Sequence, residues 1–151
     1  NKAKKESIET FESNDYEIFW ELLTGVLESN HEAKPVHTLE EIKKLASFFP
    51  KNIKLFLAKK DERIVSGALI YENQNIVHTQ YLANSEEGRE LGALDLLIDY
   101  LIKDIYKNKK YFDFGISNEN AGRYLNTGLI SQKEGFGARA VVHDFYELEI
   151  K

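Results

Sequence analysis

Between Asp15 and His31 the apolar residues Ile18, Leu22 and Val26, with Phe19, Leu23 and Leu27 beside them, recur at three- and four-residue steps. That spacing lays side chains on one side of a helix, and Asn14 or Asp15 stands where its N-cap is needed. A second run, PVHTLEEIKKLASFFP, sets Thr38 three residues before Glu41 and then Ile42, Leu45 and Phe48 on one face until Pro50. The Thr38/Glu41 pair is a capping-box pattern, and proline ends the helix. From Asn52 the period shortens to two. IKLFLAKK, RIVSGALIYE and NIVHTQYLAN are β-branched and aromatic runs separated by DE and NQN, which predicts three consecutive antiparallel strands. GALDLLIDYLIKDIYKNKK then carries Leu94, Leu97, Ile98, Leu101 and Ile105 at helical spacing, a long amphipathic helix. YFDFGIS reads as a short strand, NAGRYLNTGLISQKEG as a short helix broken by Gly128, and RAVVHDFYELEI as a closing, alternating strand. The order is helix, helix, three strands, helix, strand, helix, strand. A helix between the third and fourth strands allows a parallel crossover, so the predicted fold is α+β, a mixed, mostly antiparallel sheet with helices on both faces. No repeat, linker or low-complexity stretch divides the chain, and a single domain over 1–151 is expected.

Composition narrows the function classes. A chain of 151 residues suffices for one hydrophobic core. Its formal charge of −5 offers no broad basic field for a nucleic acid backbone, and no apolar run reaches the length of a spanning helix. With no cysteine, thiol nucleophiles, disulfides and zinc–thiolate sites are all excluded, and a cytoplasmic setting is expected. The chain opens on Asn1 and holds no methionine, so it is expected either to be the C-terminal part of a longer product or to have lost its first residues.

Candidate chemistry is concentrated after the predicted strands. In SEEGRELGALDLL, Gly88 and Gly92 precede the long helix. A glycine loop that opens a helix can cradle a phosphate on backbone amides, or it can be an ordinary turn and cap. Gly92 is the expected cradle residue and Gly88 an ordinary turn. His31, His37, His78 and His143 show no i, i+4 pair and have no cysteine partner, so no metal site is expected. For general-base work the candidates are His78, Glu119 and Asp113, with His37 in the loop between the first two helices. Strict strand alternation puts His78 with Gln80 on one face and Thr79 with Tyr81 on the other. Arg123 and Lys133 are cations that either meet phosphates or an acceptor carboxylate, or are simply solvated.

Three motifs, together with the element order, carry a resemblance. RELGAL places Arg89 and Gly92 three apart, with Leu94 where a second small residue would follow and Ala93 one position early. NENAGRYLNTGL supplies Asn118, Ala121, Tyr124, Gly128 and Leu129, and QKEGFG supplies Lys133, Phe136 and Gly137. The chain resembles the GCN5-related N-acetyltransferase (GNAT) superfamily. From about His78 to Tyr146 it is similar to the Fem-like, acetyltransferase-type domain of uncharacterised bacterial proteins. The resemblance implies an acyl-CoA N-acyltransferase fold and transfer of an acetyl or acyl group from acetyl-CoA to a small-molecule or peptide amine, by direct attack in a ternary complex. It implies coenzyme contacts at Tyr81, Leu82 and Ala83, whose strand-edge amides polarise the thioester carbonyl, and at Arg89, Glu90, Leu91, Gly92, Ala93 and Asn118. Tyr124, one position early in its motif, is the implied acid for the leaving thiolate; His78 and Glu119 complete the catalytic candidates. A homodimer is compatible with this reading. Two alternatives stand beside it: aminoacyl transfer from tRNA in the Fem manner, and a non-catalytic ligand-binding domain that kept the fold.

Overall fold

The computed structural model describes residues 3, 7–31, 34–144 and 146–150. They form two compact units, Asn1–Gly115 and Ile116–Lys151.

The first unit is built on a five-stranded sheet in the order β1-β2-β3-β4-β5, formed by Ile8–Ser13, Ile53–Lys60, Arg63–Glu72, Ile76–Asn84 and Tyr111–Asp113. The expected meander is present as β2, β3 and β4. Its turns follow from side chains that tolerate or support tight geometry. Asp61 takes the left-handed conformation between β2 and β3 (φ 53°), and the Asn73 carboxamide accepts the amides of Asn75 (2.8 Å) and Ile76 (2.9 Å) before β4. All pairings are antiparallel except β4 with β5, which is parallel. Strand β1 lies in a stretch that reads as a polar lead. It is an edge strand held by β2, with Glu9 across from Lys59 (3.2 Å) and Glu12 paired to Lys54 (2.9 Å).

Helix α1 spans Tyr16–His31, and Asp15 caps it by accepting the amide of Ile18 at 3.1 Å. Helix α2 spans Leu39–Phe48 and carries the full capping box: Thr38 Oγ1 accepts the Glu41 amide (3.2 Å), and Glu41 Oε2 accepts the Thr38 amide (2.7 Å). Its buried face is Ile42 and Ala46. Phe48 does not join Ile42, because the row that starts at Ile42 continues one turn later at Ala46, which leaves Phe48 in solvent. After β4 a short helix α3, Glu86–Leu91, is followed at once by α4, Ala93–Tyr100. The single long helix expected there ends at Tyr100. The next residues, Leu101–Ile105, form a π-helical turn closed by the Tyr106 amide on Leu101 O at 2.8 Å.

Alternation along β2 and β3 sends side chains to two apolar faces. Leu55, Leu57 and Leu69 meet Phe19, Leu23, Ile42 and Ala46 of α1 and α2. Phe56, on the opposite face, packs edge-on against Tyr106, ring centroids 6.0 Å apart, beyond the buried Leu94, Leu97, Ile98 and Leu101. Each such fully buried large side chain contributes roughly 1.5–3 kcal/mol relative to exposure. Burial and then the neighbouring Glu72 carboxylate push the Tyr106 phenol well above its ordinary range. Glu72 also accepts from its hydroxyl (3.3 Å) and from Lys109 (2.6 Å).

Two glycines set how closely the helices approach the sheet. At Gly67 a Cβ would stand 2.6 Å from Phe19 Cδ2, so its absence lets α1 descend onto β3. At Gly88, which is buried in α3, a Cβ would stand 2.3 Å from both Val65 O and Asn84 Oδ1. Gly88 is therefore a packing residue between α3 and the sheet and not the ordinary turn expected from sequence.

The second unit holds a two-stranded hairpin, β6 (Asn118–Glu119) and β7 (Tyr124–Leu125), and helix α5 (Thr127–Gly135). Asn120, Ala121 and Gly122 all have positive φ and turn the chain back on itself. That turn places Tyr124 on a strand, so it is not on the helix expected from NAGRYLN. Gly128 sits in the first turn of α5, where it does not break the helix; Asn126 caps it through the Leu129 amide at 2.9 Å. The closing strand is absent among the described residues from 138 to 150, and Phe145 lies outside them. Alternation is only a propensity for β-structure, and here no partner strand supplies the ladder.

The glycine geometry makes paired predictions. Gly88→Ala should lower stability by about 1–3 kcal/mol through overpacking against the Val65 carbonyl. Gly25→Ala, at an exposed position in α1 with nothing within 4 Å of the added Cβ, should raise it by roughly 0.5–1 kcal/mol. Urea-unfolding midpoints of the two variants check both signs.

Candidate functional site

On β4 the ladder with β3 pairs Leu69 with Tyr81 and Ile70 with Thr79, so Gln80 is an extra residue without a partner across the sheet. This β-bulge resets the alternation. Tyr81 and Ala83 stand with Leu69 on the α1 face, Thr79 stands with Ile70 on the other, and His78, in register with Tyr71, returns to the α1 face. The pairing of His78 with Gln80 and of Thr79 with Tyr81 that strict alternation predicts is thus replaced by a shared face for His78 and Tyr81.

Strand β5 meets β4 only over Ile76–Tyr111, Val77–Phe112 and His78–Asp113. Beyond that last pair, no residue of the five-stranded sheet lies on the second side of β4, so from Thr79 to Asn84 that edge is open among the described residues. His78 and Asp113 sit where the two strands part. His78 Nδ1 is 2.7 Å from Asp113 Oδ2, with side chains 35% and 49% exposed. The second carboxylate oxygen accepts the Gly115 amide at 2.8 Å. Gly115 is left-handed (φ 69°) and lies beside the imidazole, where a Cβ would come within 3.3 Å of His78 Cε1.

The same face carries an aromatic group. Trp20 of α1 meets Tyr81 edge-on at 5.5 Å between centroids. The Tyr81 hydroxyl accepts the His37 amide at 3.2 Å and lies 2.8 Å from His37 Nδ1. One hydroxyl oxygen thereby ties the loop before α2 to β4. The Tyr71 hydroxyl is buried without a hydrogen-bond partner among the described residues, and burial first, then Tyr81, raises its pKa above the ordinary phenol value. An unsatisfied buried hydroxyl costs about 1–3 kcal/mol. Such groups are uncommon away from working sites.

The expected phosphate cradle, Arg89 to Ala93, is largely helical. The Arg89 amide donates to Ser85 O (2.9 Å) and the Gly92 amide to Arg89 O (3.2 Å), so these two donors are engaged within the chain. Gly92 is left-handed (φ 70°), ends α3 and begins α4, and no side chain caps the start of α4. Arg89 and Glu90 point to solvent, whereas Ala93 is buried. Leu82 is paired with Ala68, and Ala83 with Gly67.

In the second unit Glu119 and Tyr124 are register partners of the hairpin. Glu119 Oε1 accepts from Asn126 Nδ2 at 2.7 Å, and Tyr124 is exposed. Asn118 lies on β6, next to Glu119 and in register with Leu125. Lys133 donates to Ile116 O at 2.6 Å, and His143 and Arg123 are exposed. The side chain of His31 lies outside the described residues.

Sequence reasoning missed Trp20, Tyr71 and Gly115, whose contribution comes from tertiary packing and sheet register, and no local motif announces that. A separate cleft of about 260 Å³ opens beside the start of α1, lined in part by Glu12, Tyr16, Lys43 and Lys54. Its lysines are already paired with Glu17 and Glu12, and no site residue expected from sequence lines it.

The Tyr81 tie is testable. Tyr81→Phe removes the acceptor for the His37 amide and should release about 0.5–1.5 kcal/mol of local restraint. His37 amide exchange should then quicken by up to roughly tenfold with little change in global stability. Unchanged His37 protection would contradict the tie.

Residues 5–124 match the family model described as an acetyltransferase (GNAT) domain. Among solved structures, a possible acetyltransferase from Clostridium difficile 630 superposes with a TM-score of 0.69 at 14% identity, over 95% of this chain and 98% of that one. The aminoglycoside acetyltransferase meta-AAC0020 from an uncultured soil metagenomic sample, in complex with sisomicin, gives 0.62 at 19% identity over 95% and 96%. A GNAT family acetyltransferase from Elizabethkingia anophelis with acetyl-CoA bound gives 0.55 at 20% identity over 89% and 78%. No curated protein matches. At these identities the superpositions establish the fold, which is that of the acyl-CoA N-acyltransferases; the family model covers most of the chain, and the chain belongs to the GNAT acetyltransferase family.

Proposed function

We propose that the protein is an N-acyltransferase that moves an acetyl or acyl group from acyl-CoA to an amine by direct attack in a ternary complex. The observation that carries this reading is the parting of β4 from β5 immediately after His78 and Asp113. It leaves an open strand edge that can receive a thioester, beside a half-buried imidazole. In this reading the edge from Tyr81 to Ala83 polarises the thioester carbonyl. The start of α4, after Gly92, takes the coenzyme phosphates with its first amides and dipole, the segment Arg89 to Ala93 bordering them. Holding both reactants in line supplies most of the acceleration. The amine nitrogen attacks the carbonyl carbon and a new C–N bond forms. The nitrogen gives its proton to His78, the C–S bond breaks, and the electron pair leaves on sulfur. The thiolate then takes a proton from solvent.

The acceptor is a small cationic amine. One structural neighbour was solved with sisomicin, and another, AAC(6')-Iy, with a bisubstrate analogue of coenzyme A and acetylneamine. A net charge of −5 suits a cationic acceptor and not a polyanion. We place the reaction in the cytoplasm, consistent with a chain free of cysteine.

Acetyl-CoA at about 100 times its dissociation constant stabilises the fold by about 2.7 kcal/mol, which for a chain of this size raises the melting midpoint by roughly 5–10 °C. Thermal melts with acetyl-CoA and coenzyme A, followed by thiol-release assays over aminoglycosides, polyamines and lysine peptides, check the reading. A folded protein whose midpoint is unmoved by millimolar acetyl-CoA would overturn it.

A further inference from the structure

We infer that Asp113 is a positioning residue that fixes the tautomer of His78, with Nδ1 protonated and Nε2 left free as the base that receives the amine proton. The inference rests on the acyl-transfer reading and extends it by assigning the proton-accepting atom.

The argument is geometric. Asp113 Oδ2 lies 2.7 Å from His78 Nδ1. An ionised carboxylate has only acceptor sites, so the bond requires the proton on Nδ1. In the neutral ring the lone pair is then on Nε2. The carboxylate cannot swing away freely, because Oδ1 accepts the Gly115 amide at 2.8 Å. Gly115 packs close to the imidazole: a Cβ there would lie 3.3 Å from His78 Cε1, a tight contact. The parallel register holds the two backbones together, with His78 opposite Asp113 in the last pair before the strands part. Among the described residues of this unit, the other titratable groups on the face of this imidazole include Tyr71, in register on β3, and Tyr81, on its own strand with His37 beyond it. From α1 the same sheet face meets Phe19, Leu23 and Trp20.

Asp113→Asn tests this without changing shape. Because the Gly115 amide needs an acceptor, the new carboxamide should keep its oxygen there and turn its NH₂ toward His78. That donor can only meet an unprotonated Nδ1, so the ring should switch to the Nε2–H tautomer and lose its free base. Long-range ¹H–¹⁵N spectra of the ligand-free protein read this directly. In the wild type Nδ1 should be pyrrole-like and Nε2 pyridine-like, and in Asp113→Asn the assignment should reverse. With acetyl-CoA and the amine accepted in the panel, Asp113→Asn should lower kcat by about 100-fold or more and leave KM for acetyl-CoA unchanged. His78→Gln should lose as much, and the double variant no more than either alone, as for residues acting as one unit. A wild-type ring protonated on Nε2, or an Asp113→Asn enzyme with full kcat, would overturn the inference while leaving acyl transfer standing. If the wild-type tautomer is as stated but no amine is acylated, the acyl-transfer reading falls, and the base assignment falls with it.

Discussion

The extra residue in β4 governs the rest of the site. A strand of strict period two cannot place residues three apart on one face, yet His78 and Tyr81 share the α1 face because Gln80 is left out of the ladder. The same adjustment keeps Val77 and Thr79 on the opposite, buried face. Both apolar faces are preserved at the cost of one local irregularity in the ladder. Bulges are used in this way where a side chain must be re-aimed. Here the re-aimed residue is also the last that β5 holds, so the point where the sheet opens and the point where the imidazole turns toward α1 coincide.

Around that point the sheet is held by apolar packing on both sides, and this lets polar groups sit at the end of one face without disordering it. Phe19 over Gly67 brings α1 close to β3, and Trp20, next to it in sequence, reaches Tyr81. Through the Tyr81 hydroxyl the contact extends to His37, and thus to the loop that precedes the capping box of α2. The loop is positioned by one hydroxyl and one cap, with Val36 just before them left in solvent. Segments restrained by so few contacts belong to the less stable part of a fold. On the other sheet face the π-helical turn is followed by Tyr106, whose ring lies against Phe56 and whose hydroxyl meets Glu72. This fixes the end of the crossover that makes β5 parallel to β4.

What was legible in the sequence was local. The capping box at Thr38 and Glu41, the three-strand meander and the parallel crossover all follow from short-range patterns, and each is present. Strand β1 was hidden because an edge strand needs few apolar residues; its signal lay in charge complementarity, Glu9 and Glu12 against Lys59 and Lys54. The bulge was hidden because nothing in HTQY distinguishes a continuous ladder from one that omits Gln80. Tyr124 read as helical from NAGRYLN, but three successive positive φ values at Asn120, Ala121 and Gly122 make a turn there. Gly88 read as an ordinary turn for a similar reason. The space against Val65 O that excludes a Cβ at Gly88 is tertiary, whereas the left-handed Gly92 between two helices is the local signal that sequence could show.

Stability is a poor explanation for the pairing of His78 with Asp113. A hydrogen-bonded pair exposed to this degree contributes roughly 0–1 kcal/mol, and β-branched or aromatic residues facing each other across the same ladder would contribute comparably without a titrating group. Yet the surroundings restrict both side chains: a backbone amide takes the second carboxylate oxygen, a left-handed glycine lies close to the ring, and the strands part just beyond the pair. Each of these restraints reduces the rotational freedom of a pair that adds little to folding. Restraint of that kind has value for chemistry, where a proton acceptor must be held to within a fraction of an ångström.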